Sequence, residues 1–281
     1  MKTKQVIMAT MVTAAGMVQA AFVTIGNPGN TADTSGYGKV DYTYQISATE
    51  VTIAEFTASG AGSGNENYWN DGTRTVGTAA PAVNVSLYEA KKYANYLTQN
   101  ANGGSTAFNL YSADGTGAGS YTRANALSDG RIVYALPTED EWYKAAYYTG
   151  NGGDLWSLYA NGTDTIPTHG TTDGWNYYNN GYANSGNTWT VGYGGEEQNG
   201  TYDMMGNVWE WMETSSGVLR GGRYSSSEYY LGSSYHDGPG PSVETYDVGF
   251  RVVAIPEPAT ALSLVLGGLL ITGYRRLFGR V

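Results

Sequence analysis

The sequence predicts an α+β fold of small sheets, few helices and much irregular chain, and three observations carry that expectation. Helix-opening signals are sparse. Clusters of Gly, Asn and Ser at 59–67, 100–106, 112–120, 150–153 and 179–187 cut the remainder into short pieces that read as surface loops. No regular alternation of strand and helix runs along the chain, which argues against a doubly wound parallel sheet. Heptads, a long linker and repeats of solenoid length are all lacking between residue 21 and about 254.

Taken in order, Met1-Lys2-Thr3-Lys4 precedes an uncharged stretch to Gln19, and Val18-Gln19-Ala20 fits the small-x-small rule. This predicts a secretory signal over 1–20 and a mature start at Ala21, the alternative being an uncleaved anchor. Thr52 opens a short helix through Phe56. Ser86 with Glu89 forms a capping box, in which the hydroxyl accepts from the backbone three residues on and the carboxylate reaches back. It opens a helix to about Thr98, with Leu87, Tyr88, Ala90, Ala94 and Leu97 for its buried face. Thr138 with Glu141 is a second capping box, opening a helix to about Tyr147. Short strands and irregular chain fill the rest.

The ends also set the charge. The formal net charge is -10, but Lys2, Lys4, Arg275, Arg276 and Arg280 all lie in the two end segments, leaving ten bases against 25 acids in the body, near -15. So acidic a body lacks the basic patches that replace phosphate counterions, which excludes nucleic acid as a partner and suits cations. With 40 Gly, 25 Tyr and few charges, the composition fits an exported, loop-rich domain better than a cytosolic helical enzyme. There is no cysteine, so no disulfide braces the fold and packing or metal must do so.

At the C-terminus, Ile255-Pro256-Glu257-Pro258 leads into 16 uncharged residues, Ala259 to Tyr274, and then Arg275-Arg276. The apolar run is short against the roughly 20 residues that cross a bilayer core, and the arginines belong on the cytoplasmic side. The 255–281 segment resembles the PEP-CTERM sorting signal. That resemblance implies membrane attachment, an exosortase-type processing enzyme as partner, and residence in a Gram-negative envelope or extracellular polysaccharide matrix. A plain single-pass anchor has the same topology.

Six phrases in the body follow one another in a fixed order: Glu50-Val51-Thr52, Pro81-Ala82-Val83-Asn84-Val85-Ser86, Leu136-Pro137-Thr138-Glu139-Asp140-Glu141-Trp142, Tyr202 to Trp211 with its Gly-Asn-Val-Trp-Glu-Trp core, Leu219-Arg220-Gly221-Gly222, and Gly249-Phe250-Arg251-Val252-Val253. Together they resemble the sulfatase-modifying-factor family, whose founding activity is formylglycine generation. The resemblance covers 21–254 and implies a C-type-lectin-like, formylglycine-generating-enzyme-like α+β fold. In the oxidase members, two cysteines shortly after the Gly-Gly phrase hold copper, and thiolates suit that soft metal. Laying the pattern on this chain puts Ser226 and Leu231 at those positions, with Arg223 where the family usually has Ser. Neither side chain holds copper, so no copper and no catalytic residue is expected.

The same resemblance implies structural calcium. Asp203 and Glu210 would give side-chain oxygens and Gly206 and Val208 carbonyls, the hard-oxygen set that calcium takes. The alternative is that Glu210 caps buried backbone donors. A second family site would begin at Asn176 and the Tyr177 carbonyl, but its downstream acid is not evident near Ala183.

Other chemistries fit less well. His169 and His236 are the only histidines, and a facial triad with Asp237 suffers from the His236-Asp237 adjacency. No Gly-x-Ser-x-Gly elbow occurs. Glu139, Asp140 and Glu141 sit at a helix start, where the dipole alone favours carboxylates. Arg223 to Asp237, by contrast, is dominated by Tyr, Ser and Gly, as paratopes are. Arg223, Tyr224, Ser226, Tyr229, Tyr230 and Tyr235 are therefore the candidate ligand-facing residues, the alternative being that Tyr and Ser reflect overall composition. The expected function is an exported, envelope- or matrix-associated binding or structural module, with a lost copper-cysteine site and a glycan or protein ligand. The alternative is an oxidoreductase or protein-modifying factor that acts on exported proteins by a cysteine-free mechanism.

Overall fold

A computed structural model of the chain describes residues 21–65, 77–150, 156–170, 174–178 and 187–256. The expected signal over 1–20 and the sorting segment from 257 lie outside the described residues. Among those described, no helix is long and apolar enough to cross a membrane. The elements in chain order are β1 (Phe22–Ile25), β2 (Tyr44–Ser47), α1 (Ile53–Ser59), α2 (Leu87–Ala101), α3 (Arg123–Asp129), β3 (Val133–Ala135), α4 (Glu139–Tyr147), β4 (Trp209–Trp211), β5 (Leu219–Arg220), β6 (Val248–Gly249) and β7 (Val253–Ile255).

Capping chemistry fixes three helix starts. Thr52 with Glu55, Ser86 with Glu89 and Thr138 with Glu141 each form a reciprocal capping box. Gly60, left-handed at φ 65°, stops α1. Two points differ from the sequence expectation. The helix α3 was not anticipated: it is short, and Thr122 caps it without an acidic partner three residues on. On α2, Leu87, Ala90, Ala94 and Leu97 are buried as expected, but Tyr88 is only half-buried and Tyr93 goes inside. The Tyr93 ring packs 5.8 Å from Phe56 and 5.4 Å from Phe250.

Two small sheets organise the strands. The first is antiparallel, in the order β1-β2-β7-β3, and the second runs β5-β4-β6, with β4 antiparallel to β5 and parallel to β6. Only Phe250, Arg251 and Val252 separate β6 from β7, so this short link steps directly from one sheet to the other. One apolar cluster packs the first sheet against α4 through Ile46, Trp142 and Tyr147. The other packs α1 and α2 against the second sheet through Phe56, Leu87, Trp211 and Phe250. This is the α+β architecture the sequence predicts, with few helices, small sheets and long irregular connections.

Candidate functional site

The strand β4 presents its two sides to two environments, because successive strand side chains alternate. Glu210 points to the junction between the sheets and is fully buried with Arg251. Arg251 grips it with two bonds, Nε to Oε2 at 2.7 Å and Nη2 to Oε1 at 2.6 Å, and Trp142 Nε1 donates to Oε2 at 2.8 Å. The same guanidinium donates to the carbonyls of Ser47, Ala48 and Tyr202 at 3.0, 3.2 and 2.9 Å. Arg251 thus ties the end of β2, the 202 turn and the centre of β4 into one node.

Asn207 extends the node. Its backbone is left-handed at φ 57°, its Nδ2 donates to Glu50 Oε1 at 2.9 Å, and its Oδ1 accepts from Trp189 N at 2.7 Å. Gly206 is obligatory beside it: at φ 84°, a Cβ would fall 2.1 Å from the Asn176 carbonyl oxygen. Trp211, on the opposite side of β4, donates to the Val85 carbonyl at 2.7 Å. The six phrases singled out in the sequence therefore converge on this region.

Electrostatically the node is unbalanced. Glu50, Glu197, Asp203 and Glu210 are all buried around Arg251, the one cation among the described residues that offsets them. Among the described residues, Glu50 Oε2, Glu197 Oε1 and Asp203 Oδ1 have no hydrogen-bond partner. Burial raises the Glu50 carboxyl well above its ordinary value, with Asp203 and Glu210 adding repulsion. Burial likewise lifts Glu197 to about 8, against the pull of Arg251. Asp203 rises to about 6 through burial, opposed by the bond from Gly192 N, by Arg251 and by a side-chain bond with Glu50, so these two carboxyls share a proton when one is protonated. A buried carboxylate without a partner is costly, so these groups call for a proton or a cation.

On the other side of β4, Trp209 floors an aromatic cluster. Tyr230 and Tyr235 pack on it at 6.2 and 5.8 Å. Tyr229, Tyr230 and Tyr235 meet edge to face at 4.6 to 5.5 Å, and Tyr229 is 65% exposed. Arg223 is half-buried and ion-paired with Asp247. Two of the six candidate ligand-facing residues do not face out. Tyr224 and Ser226 are buried, because the turn at Gly221 and Gly222 folds the chain back under Asn207, where Tyr224 N donates to the Asn207 carbonyl at 3.0 Å. Sequence alternation could not show this, since the segment is neither helix nor strand until the 3-10 turn Glu228–Leu231.

A model of the sulfatase-modifying factor enzyme 1-like domain matches residues 4–255. The chain belongs to this family. Among solved structures, Treponema denticola variable protein 1 is similar at a TM-score of 0.63 and 23% identity, over 89% of this chain and 99% of that one. CarF is similar at 0.59 and 23%, over 84% and 98%, and PvdO from Pseudomonas aeruginosa at 0.50 and 17%, over 84% and 92%. These likenesses establish the formylglycine-generating-enzyme-like, C-type-lectin-like fold. Comparison with curated proteins gave no match.

At the two positions that the resemblance sets against the family's cysteines, the side chains are already committed. Ser226 Oγ accepts from Arg223 N at 3.2 Å, and Leu231 is wholly buried in the apolar core. For the calcium expectation the fit is uneven. Asp203 has the free, buried Oδ1, whereas both Glu210 oxygens are engaged by Arg251 and Trp142. Gly206 and Val208 are buried in the same turn. Among the described residues, no group of three or more His, Cys, Asp or Glu is arranged to hold a metal. At the second family site, Asn176 Oδ1 is buried without a partner and Tyr177 is buried beside it, while Ala183 lies outside the described residues.

The remaining candidates are structural. His169 packs on Tyr177 at 5.5 Å, whereas His236 meets Glu139 at 3.2 Å and Tyr37 at 6.2 Å, so the facial triad with Asp237 is not assembled. Glu139 pairs with Arg220 at 2.7 Å, Asp140 accepts from Gly38 N at 2.8 Å, and Glu141 caps α4 and pairs with Arg123 at 2.7 Å. Sequence reasoning missed Glu50 and Glu197 in the acidic node and Trp209 as the aromatic floor. Glu50 stood in a recognised phrase, but nothing in the sequence marks Glu197.

Proposed function

We propose that this chain is an exported binding module of the sulfatase-modifying-factor family that has lost copper-cysteine chemistry, and that Tyr229, Tyr230 and Tyr235 over Trp209 receive a glycan or protein ligand. The observation that carries this proposal is the pairing of two features of one segment. Ser226 and Leu231 replace the thiols, while the same turn presents an exposed tyrosine on an aromatic base. Tyrosine gives wide amphipathic contact at low entropy cost. Export, sorting at the Pro256-Glu257-Pro258 motif and an envelope or matrix location rest on the end segments of the sequence.

Calcium belongs to the same proposal as a brace for the acidic node, where it would replace the proton shared between the Asp203 and Glu50 carboxyls. Calcium supplies charge compensation and oxygen coordination there, not catalysis.

The test is a ligand screen of glycans and envelope proteins with the wild-type chain, followed by Tyr229→Ala and Tyr230→Ala. Binding should fall in both variants. Undiminished binding in both would reject the aromatic face as the site.

A further inference from the structure

On the opposite side of α2 from its core face lies an open cleft of about 620 Å³, within the range of small-molecule sites. Lys92, Asn95, Tyr96 and Gln99 reach it at helical spacing, and Thr106, Asn109, residues 111–113 and 118–120, with Ser59 to Ala61, complete its walls. Among the described residues, no Asp or Glu is in its lining, and Asp114 of the far wall is held outside it by the Ser112 and Thr116 hydroxyls. The charged group among its described lining residues, Lys92, is answered electrostatically by Glu244 outside the cleft. We infer that this cleft is a second binding site, for an uncharged oligosaccharide.

The cleft is pre-formed. The buried Asn95 amide clamps the far wall from both sides, donating to the Tyr111 carbonyl at 2.8 Å and accepting from Tyr111 N at 3.2 Å. Within the wall, Ser112 N donates to the Gly117 carbonyl at 2.9 Å and Gly119 N to the Leu110 carbonyl at 2.8 Å. The chains approach so closely that a Cβ on Gly119 would fall 2.1 Å from the Asn109 carbonyl oxygen, and one on Gly115 2.2 Å from that of Tyr88. A wall fixed in this way loses little entropy on binding, which suits a weakly contacting, hydroxylated ligand.

Its lining carries amides and hydroxyls, and one amide pair is bonded. Gln99 Nε2 donates to Asn109 Oδ1 at 3.3 Å. That bond commits one end of each amide, the other ends being an acceptor, Gln99 Oε1, and a donor, Asn109 Nδ2. A lining that offers both acceptors and donors suits the hydroxyls of a pyranose, each of which both gives and takes a hydrogen bond. Tyr96, half-buried and packed 6.2 Å from Tyr93, supplies an apolar ring face for the C–H face of a sugar. The hydroxyls of Thr106 and Ser120 line the same wall. An acidic polysaccharide would meet a strongly negative body with, among the described residues, one cation in the cleft, so the uncharged class is favoured.

The test is titration of the full-length protein with maltohexaose, cellohexaose, xylohexaose and, separately, polygalacturonate, followed by calorimetry or NMR. At least one neutral hexasaccharide should bind, and Tyr96→Ala and Gln99→Ala should each weaken it by about tenfold or more. Gln99→Ala also removes a brace on the wall. Tyr96→Ala breaks none of the loop's hydrogen bonds and keeps the test decisive if the Gln99 variant melts early. Tyr229→Ala should leave this binding unchanged, which separates the cleft from the aromatic face. No neutral binding at millimolar ligand, polygalacturonate as the only ligand, or wild-type affinity in both cleft variants would overturn the inference.

Discussion

Replacing Arg251 with methionine removes the cation at the sheet junction while keeping much of the side chain's apolar volume. Arg251 makes five hydrogen bonds, two to Glu210 and three to the carbonyls of Ser47, Ala48 and Tyr202. The variant strands a buried carboxylate with Trp142 as its remaining partner. Removing one member of a buried ion pair costs about 3–5 kcal/mol, a large share of the roughly 5–15 kcal/mol that holds a domain folded. The penalty should depend on pH. Without Arg251, the carboxylates around it are uncompensated when ionised, so protonation relieves the variant more than the wild type. Urea unfolding at pH 5 and pH 8 should therefore show a smaller deficit at pH 5. Adding Glu210→Gln to Arg251→Met should recover part of the loss. A deficit under about 1 kcal/mol, in the range of ordinary surface substitutions, or one equal at both pH values, would refute the buried-node account.

Calcium should stabilise the fold by about 2.7 kcal/mol at a hundredfold excess over Kd, and Asp203→Ala should abolish that response; identical melting curves with and without chelator would count against it. In chelator, the raised carboxyls of Asp203 (about 6) and Glu197 (about 8) stabilise the fold fully only below their unfolded values of 3.8 and 4.5. That contribution is lost as pH rises through 6 to 8, so the melting temperature should fall from pH 5 to 8, and calcium should flatten the slope. Tyr224→Ala should cost about 3–5 kcal/mol, as large-to-small changes of buried aromatic residues do, whereas Tyr229→Ala should stay within about 0.5 kcal/mol; equal losses on denaturant unfolding would mark Tyr229 as core. Processing is expected near Ala20 and near Pro258. The second cut should fall after Ile255, because β7 lies between β2 and β3 in the first sheet. Intact-mass measurement of the native protein decides, and a sole mature form retaining Arg275 and Arg276 would reject cleavage of the tail.

Much of the fold was legible because it is written in local chemistry. Thr52, Ser86 and Thr138 announce their helices through side-chain bonds spanning three residues, so no tertiary knowledge is needed. The α3 helix escaped because Thr122 has Asn125, not an acid, at the capping-box position. The phrases Gly-Asn-Val-Trp-Glu-Trp and Gly-Phe-Arg were recognisable, yet their physical purpose was not. Glu210 and Arg251 are 41 residues apart, and only the fold shows that they neutralise each other. For the same reason Glu210 read as a metal ligand from sequence, although its oxygens are committed to Arg251 and Trp142. The 223–237 segment was partly legible. Its tyrosines signalled a surface, but the inward turn of Tyr224 and Ser226 depends on Gly221 and Gly222 docking below Asn207, a long-range contact without a periodic signature.

The loss of thiol chemistry is tested most directly by incubating the purified protein with a cysteine-containing sulfatase peptide under oxygen, with and without copper, and weighing the peptide. Because the chain contains no cysteine, the peptide mass should stay unchanged under both conditions. Conversion of the peptide cysteine to the aldehyde by this chain would contradict the account.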